Sequence, residues 1–240
     1  MDAGITLSGV HFGVQGKAIL HGLDLSLREA RIGIIGRNGS GKTTLLRVMA
    51  GLVTPMAGTV RVAGLDPAQD RKAMLGAIGI LFQNPDHQII FPTVEEELSF
   101  GLRQMGQSAP EAHAAVATLL EAEGRAHWAK ALVSSLSQGQ KQWLCLMAVL
   151  LMRPATLLLD EPFAALDLPT QSRLTRRLAG LPQRLITISH DPQAVMAADR
   201  VIWLEAGRVA ADGPPAEVLP AFRAEMDRIG ECDADTDLGH

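Results

Sequence analysis

The chain of 240 residues contains no tyrosine, and only 4% of it is aromatic. Any ring-stacking duty therefore falls to six phenylalanines or three tryptophans. Trp128, Trp143 and Trp203 read as packing residues, each with a large apolar body to bury. Cysteine is nearly absent: Cys145 lies in an apolar run and Cys232 near the end, which excludes a disulfide framework. A basic excess is missing too. Lys and Arg number 22 against 26 Asp and Glu, giving a net charge of −4 and a pI near 6.0, which argues against nucleic acid as a partner. The longest apolar run, Trp143 to Met152, is flanked by Lys141 and Arg153 and is about half the ~20 residues of a membrane-spanning helix. Met1 to Ser8 has neither the basic start nor the apolar stretch of a secretory signal. No internal repeat, low-complexity segment, heptad pattern or C-x-x-C pair occurs. The histidines other than His190 (His11, His21, His87, His113, His127 and His240) lack metal-ligand spacing. These absences leave a cytoplasmic protein that meets a membrane only through a partner.

What is present is chemistry for phosphate. Gly36 to Thr43 reads G-R-N-G-S-G-K-T, matching G-x-x-x-x-G-K-[ST]. The glycines Gly36, Gly39 and Gly41 allow positive φ and let backbone N–H groups turn inward around an anion. A helix is expected from about Lys42, its positive end facing the phosphates. Lys42 reaches β- and γ-phosphates, and the Thr43 hydroxyl is a ligand for Mg²⁺. Asn38, Ser40 and Thr44 complete the loop and first helical turn. The preceding Ile32-Gly33-Ile34-Ile35 suits a buried parallel strand, and Leu45 to Ala50 suits a helix. Strand, loop and helix thus come in the order the motif needs.

A second apolar strand, Leu157-Leu158-Leu159, ends in Asp160-Glu161, two carboxylates at the edge where open α/β sheets place ligands. Asp160 is the candidate for the Mg²⁺ shell, and Glu161 for polarising the water that attacks the γ-phosphate. Alone, such a pair would also serve as a helix cap.

Leu136-Ser137-Gln138-Gly139-Gln140, followed by a helix expected from near Lys141, makes the pattern specific. The chain resembles the ATPase subunit of an ABC (ATP-binding cassette) transporter, whose signature reads L-S-G-G-Q; here Gln138 replaces the first glycine. Gln83 resembles the Q-loop glutamine. Ala164-Ala165-Leu166-Asp167 resembles the S-A-L-D loop, and His190 the switch histidine after a strand. The matches run from Phe12 to about Gly213. The resemblance implies ATP and Mg²⁺ as cofactors, with Glu161, His190, Lys42 and Gln83 catalytic and Thr43, Gln83 and Asp160 at the metal. Nucleotide would be held by Phe12, Gly36, Asn38, Gly39, Ser40, Gly41, Lys42, Thr43 and Thr44, and by Ser137, Gly139 and Gln140 of a facing copy. Phe12 sits where the family stacks an aromatic on adenine; filling a hairpin core is the other reading. A homodimer with two competent sites is expected, closing on ATP and opening on hydrolysis.

Gln83-Asn84-Pro85-Asp86-His87-Gln88 and Thr93-Val94-Glu95-Glu96-Glu97-Leu98 resemble the ATPases of energy-coupling factor (ECF) transporters. Those take up vitamins or Co²⁺ and Ni²⁺, and the compact length points to biotin-type or cobalt/nickel-type members. The resemblance makes Asp86, Gln88, Ile89 and Phe91 partner-binding residues for a transmembrane T-component, beside a substrate-binding S-component, on the cytoplasmic side of the inner membrane and with no solute contact. A soluble ABC ATPase, for example in iron–sulfur assembly, is the alternative, and a small-molecule kinase a third reading that leaves Ser137–Gln140 unexplained.

The expected fold class is α/β: a P-loop NTPase (RecA-like) core with an antiparallel β-subdomain and an inserted α-helical subdomain. The core is expected over about 1–88 and 153–222, the helical subdomain over about 89–152, and a tail over 223–240 whose end, Cys232 to His240, frays. Turns at Gly13–Gly16 and His21–Gly22 suggest hairpins. Residues 57–64 read as a strand, Leu185 to Ser189 as another and Val201 to Ala211 as a hairpin. Thr93 with Glu96 is a capping-box pattern.

Overall fold

Period-two burial starts the fold. In β1 (Ile5–Val14) and β2 (Lys17–Leu27) alternate side chains such as Ile5, Leu7, Leu25 and Leu27 are buried, and the strands pair antiparallel around a turn at Gln15-Gly16. The computed structural model describes residues 4–231, so the expected frayed end, Cys232 to His240, lies outside the described residues. The turn expected at His21–Gly22 is a bulge instead. Val10 pairs with Leu23 and His11 with His21, so Gly22, with φ +70°, is the extra residue.

β3 (Arg31–Ile35) is apolar and buried after Arg31 and leads into α1 (Lys42–Met49), whose Leu45, Leu46 and Met49 are wholly buried. β4 (Ala57–Val62) then returns to β1, making a three-stranded antiparallel sheet in the order β2-β1-β4. The short α2 (Arg71–Ala77) and β5 (Ile78–Leu81) follow. The helical stretch holds α3 (Val94–Gln104), α4 (Ala109–Ala122) and α5 (Gln138–Leu151) around Val94, Leu98, Val116, Leu120, Leu144 and Met147. Truncating one such buried leucine costs about 2–5 kcal/mol.

The chain returns to the core through β6 (Thr156–Asp160), α6 (Leu168–Ala179), β7 (Arg184–Ser189), β8 (Arg200–Glu205) and β9 (Arg208–Gly213). The larger sheet has the order β5-β6-β7-β3-β8-β9, parallel except for β9. This order decides where the chemistry lies. Ile35 pairs with Ser189 and Asp160 with Ile188, so the carboxyl ends of β3, β6 and β7 stand side by side. α7 (Pro215–Glu231) packs Val218, Leu219 and Phe222 on β8, with Trp203 and Phe222 edge to face at 5.6 Å. The helix continues past Phe222 to Glu231, so the first part of the stretch expected as a tail is helical.

Candidate functional site

The phosphate loop between β3 and α1 has two glycines in the left-handed region, Gly39 (φ +81°) and Gly41 (φ +101°). Gly36 is glycine for another reason. Its φ is not positive, but a Cβ there would stand 2.2 Å from the Leu204 carbonyl oxygen of β8 and 2.6 Å from Ser40 Oγ. The start of α1 differs from those of α3, α4, α5 and α6, which Thr93, Ser108, Ser137 and Asp167 cap with side-chain oxygens. No side chain caps α1 and no acid lies in its first turn, so its dipole end stays available to an anion. Ser40 Oγ beside it is buried without a hydrogen-bond partner. An orphaned hydroxyl in an amide-lined loop suits a phosphate oxygen.

Lys42, 7% exposed, donates from Nζ to the carbonyls of Gly36 at 2.7 Å and Arg37 at 2.9 Å. Burial lowers the pKa of its ammonium, while Glu161 and Asp160 pull it back up. At the end of β6, Asp160 is 5% exposed and its Oδ1 accepts from Thr43 Oγ1 at 3.3 Å. Burial raises the pKa of that carboxyl. Two hard oxygens facing each other, with no third protein carboxylate or histidine grouped there among the described residues, fit Mg²⁺, which keeps waters and takes phosphate oxygens. Gln83 is exposed and lines, with Thr43, Arg47, Asn84, His87 and Asp160, a cavity of about 530 Å³.

Glu161 follows with φ +46°, outside the usual range for its type. Its carboxylate is gripped twice. Ser189 Oγ donates to Oε2 at 2.8 Å, and His190 brings its backbone N–H at 2.8 Å and Nδ1 at 2.7 Å to Oε1. An ionised carboxylate only accepts, so this contact puts a proton on Nδ1 and leaves Nε2 outside the contact. The sequence had suggested separate duties for His190 and Glu161; the structure joins them. Ser189, 2% exposed, went unassigned in the sequence, where its one signal is a polar residue in a buried strand end.

Ser137 is the N-cap of α5, which starts at Gln138 rather than near Lys141. Ser137 Oγ accepts from the Gln140 N–H at 3.3 Å, and the Gln140 amide oxygen accepts from the Ser137 N–H at 2.8 Å. Neither Ser137 nor Gly139 lines the cavity around Thr43 and Asp160 in its own chain. Gly139 is pressed against α6, where a Cβ would meet Thr170 Cγ2 at 2.9 Å. Phe12 is half-buried, pairs across the hairpin with Leu20 and packs on the main core.

The expected partner groove is narrower than the sequence suggested. Gln88 turns inward: its Oε1 accepts from the Phe82 N–H at 3.1 Å and its Nε2 donates to Ile80 O at 3.2 Å. Asp86 is held by Lys141 Nζ at 2.7 Å and Gln138 Nε2 at 3.0 Å. Ile89 packs between two core clusters. Both amide N–H groups of Ile90 and Phe91 donate to Glu97 Oε2 at 2.9 Å, a buried carboxylate that the sequence reading passed over. That loop leaves Ile90 69% exposed and sets Phe91 against Phe100 at 5.1 Å.

Fold and site together define a P-loop ATPase of the cassette type. Residues 20–164 match the family described as ABC transporter, and the chain belongs to that family. It is 52% identical over 221 residues to the "Biotin transport ATP-binding protein BioM" of Rhodobacter capsulatus, covering 91% of this chain and 94% of that protein. It is 40% identical to the "Energy-coupling factor transporter ATP-binding protein EcfA1" of Symbiobacterium thermophilum, over 89% of this chain and 75% of that protein. Among solved structures it is similar to cbiO1 of Clostridium perfringens, part of the ABC transporter complex cbiONQ. The TM-score is 0.78 and the identity 28%, covering 98% of this chain and 97% of that one. The protein is an ATP-binding, ATP-hydrolysing subunit. No helix among the described residues is long and apolar enough to cross a membrane.

Proposed function

We propose that this ATPase powers an energy-coupling factor type importer of biotin or of a transition-metal ion, bound at the cytoplasmic face of the membrane. The observation that carries the ATPase cycle is the meeting of three strand ends: phosphate loop after β3, Asp160-Glu161 after β6, His190 after β7. The names of the relatives support the transport role. In this reading Gly36, Asn38, Gly39, Ser40, Gly41, Lys42, Thr43 and Thr44 hold the phosphates, and the exchange of Lys42's two carbonyl partners for phosphate oxygens makes binding selective for anions. Thr43, Asp160 and Gln83 would hold Mg²⁺, which when bound neutralises charge on the β- and γ-phosphates. Glu161, aimed by Ser189 and His190, orients the attacking water and accepts its proton. His190 Nε2 faces the γ-phosphate.

Two copies bind face to face, each lending Ser137, Gly139 and Gln140 to the other's nucleotide, and hydrolysis removes the anion that joins them. The exposed Ile90 and Phe100 with the half-buried Phe91 form the apolar dock for a transmembrane subunit, which in turn engages a substrate-binding subunit. The ATPase itself touches no solute.

The test is Glu161→Gln. It keeps shape and loses charge, so turnover falls by at least about 100-fold while ATP drives a stable dimer on size-exclusion chromatography. Unchanged turnover would remove Glu161 from its role. Co-expression with transmembrane and substrate-binding subunits of an energy-coupling factor importer must yield a complex that accumulates labelled biotin or metal ion; a complex that never forms would sink the transport reading.

A further inference from the structure

α5 carries a stripe of polar contacts that no signature motif explains. Gln138, Lys141, Gln142 and Cys145 follow the spacing that lines one helical face. All four reach the same short segment. Gln138 Nε2 and Lys141 Nζ hold the two oxygens of Asp86, Gln142 Nε2 donates to Phe82 O at 3.4 Å, and Cys145 Sγ lies 4.0 Å from Pro85 O. That segment is the exit of the Q-loop, and Gln83 lies within it. Asn84 Oδ1 fixes it from the other side by accepting the Asp86 N–H at 2.9 Å.

We propose that Asp86 is a positioning residue: clamped by Gln138 and Lys141, it makes Gln83 and Ser137 move as one piece. The inference rests on the dimeric reading above. Gln83 faces the nucleotide of its own chain and Ser137 that of the partner, so the clamp ties the state of one site to the grip on the other. It also accounts for the departure from L-S-G-G-Q, because a glycine at 138 has no side-chain amide to offer Asp86. A stabilising role is the weaker explanation. Asp86 is 45% and Lys141 18% exposed at the side chain, and an exposed ion pair contributes little to stability.

The experiment is steady-state ATPase of the purified subunit, with ATP-driven dimerisation measured in the Glu161→Gln background. Asp86→Ala and Lys141→Met should each lower kcat by about fivefold with KM for ATP within about twofold and thermal midpoint unchanged. Each should also weaken the Glu161→Gln dimer, without changing affinity for a fluorescent ATP analogue. Lys141→Arg should keep activity, and the exchanged pair Asp86→Lys with Lys141→Asp should recover most of it. If Glu161→Gln with Asp86 intact fails to dimerise on ATP, the dimeric reading falls and takes the inference with it. If it dimerises, and both single variants leave kcat and dimer affinity unchanged, the inference alone is overturned.

Discussion

Ser189→Ala tests how the catalytic carboxylate is aimed. Glu161 Oε1 is held by two groups of His190, but among the described contacts Oε2 is held by Ser189 Oγ alone, at 2.8 Å. Deleting the hydroxyl removes one hydrogen bond to a charged group, worth about 1.5 kcal/mol where the site is largely buried, and Ser189 is 2% exposed. The carboxylate then pivots on its His190 side, away from the attacking water. If the full amount reaches the transition state, kcat falls about tenfold, while KM for ATP, set by the phosphate loop, stays within about twofold. The hydroxyl also accepts the Asp191 N–H at 3.0 Å. Asp191 is exposed, so water replaces that bond and the fold loses little. Phosphate release under saturating ATP reads kcat, and scanning calorimetry separates stability from turnover. Ser189→Thr keeps the oxygen and should keep most of the rate. An alanine variant with unchanged kcat and unchanged thermal midpoint would refute the assignment, and so would one that raised KM alone.

Asp160→Asn should abolish turnover yet raise the thermal midpoint at pH 7. Burial raises this carboxyl's folded pKa above its ordinary 3.8, so the unfolded chain ionises first. As pH climbs from there through the folded value, stability is lost, and the cost is fully present at neutral pH. Each ~1 kcal/mol relieved raises the midpoint by about 2–4 °C, the gain shrinking as pH falls toward 4; a lower midpoint at pH 7 would count against it. Two of the three loop glycines, Gly36 and Gly39, should also separate. Gly36→Ala drives a Cβ into the Leu204 carbonyl and costs about 3 kcal/mol, whereas Gly39→Ala meets nothing within 4 Å and bears only a left-handed strain of about 1–2 kcal/mol. Urea midpoints in the reverse order would refute that account.

The parts of the site legible in the sequence are those whose meaning is local. A strand, a glycine loop and a helix start are contiguous, so Gly36 to Thr43 declared itself, and three leucines before Asp160-Glu161 did the same. What failed needed a third dimension. Gly36 was read as a φ requirement because sequence shows no neighbours; its constraint comes from β8, far along the chain. That the Gln88 amide serves the backbone N–H of Phe82 and the carbonyl of Ile80 is not visible in sequence, where it is a polar loop residue suited to a partner. Glu97 hid in a run of three glutamates, one of which turns inward to hold two loop amides. The segments α2 and β5 are too short to show a period.

The joining of His190 to Glu161 bears on how the proposed switch would work. Had the two acted apart, a histidine swing toward phosphate would leave the base untouched. Here one carboxylate oxygen binds both the backbone and the ring of residue 190, so any ring movement toward a γ-phosphate alters the charge environment of the base that must act on it. The ring is 57% exposed at its side chain and the carboxylate 13%, so the ring lies outside and the carboxylate within. If His190 and Glu161 act as proposed, a ring turned to bring Nε2 to phosphate would release Nδ1 from Glu161 and free a carboxylate lone pair. On that proposal the base would stay occupied until the anion to be attacked arrives, and disrupting the His190–Glu161 contact should raise turnover without γ-phosphate engagement.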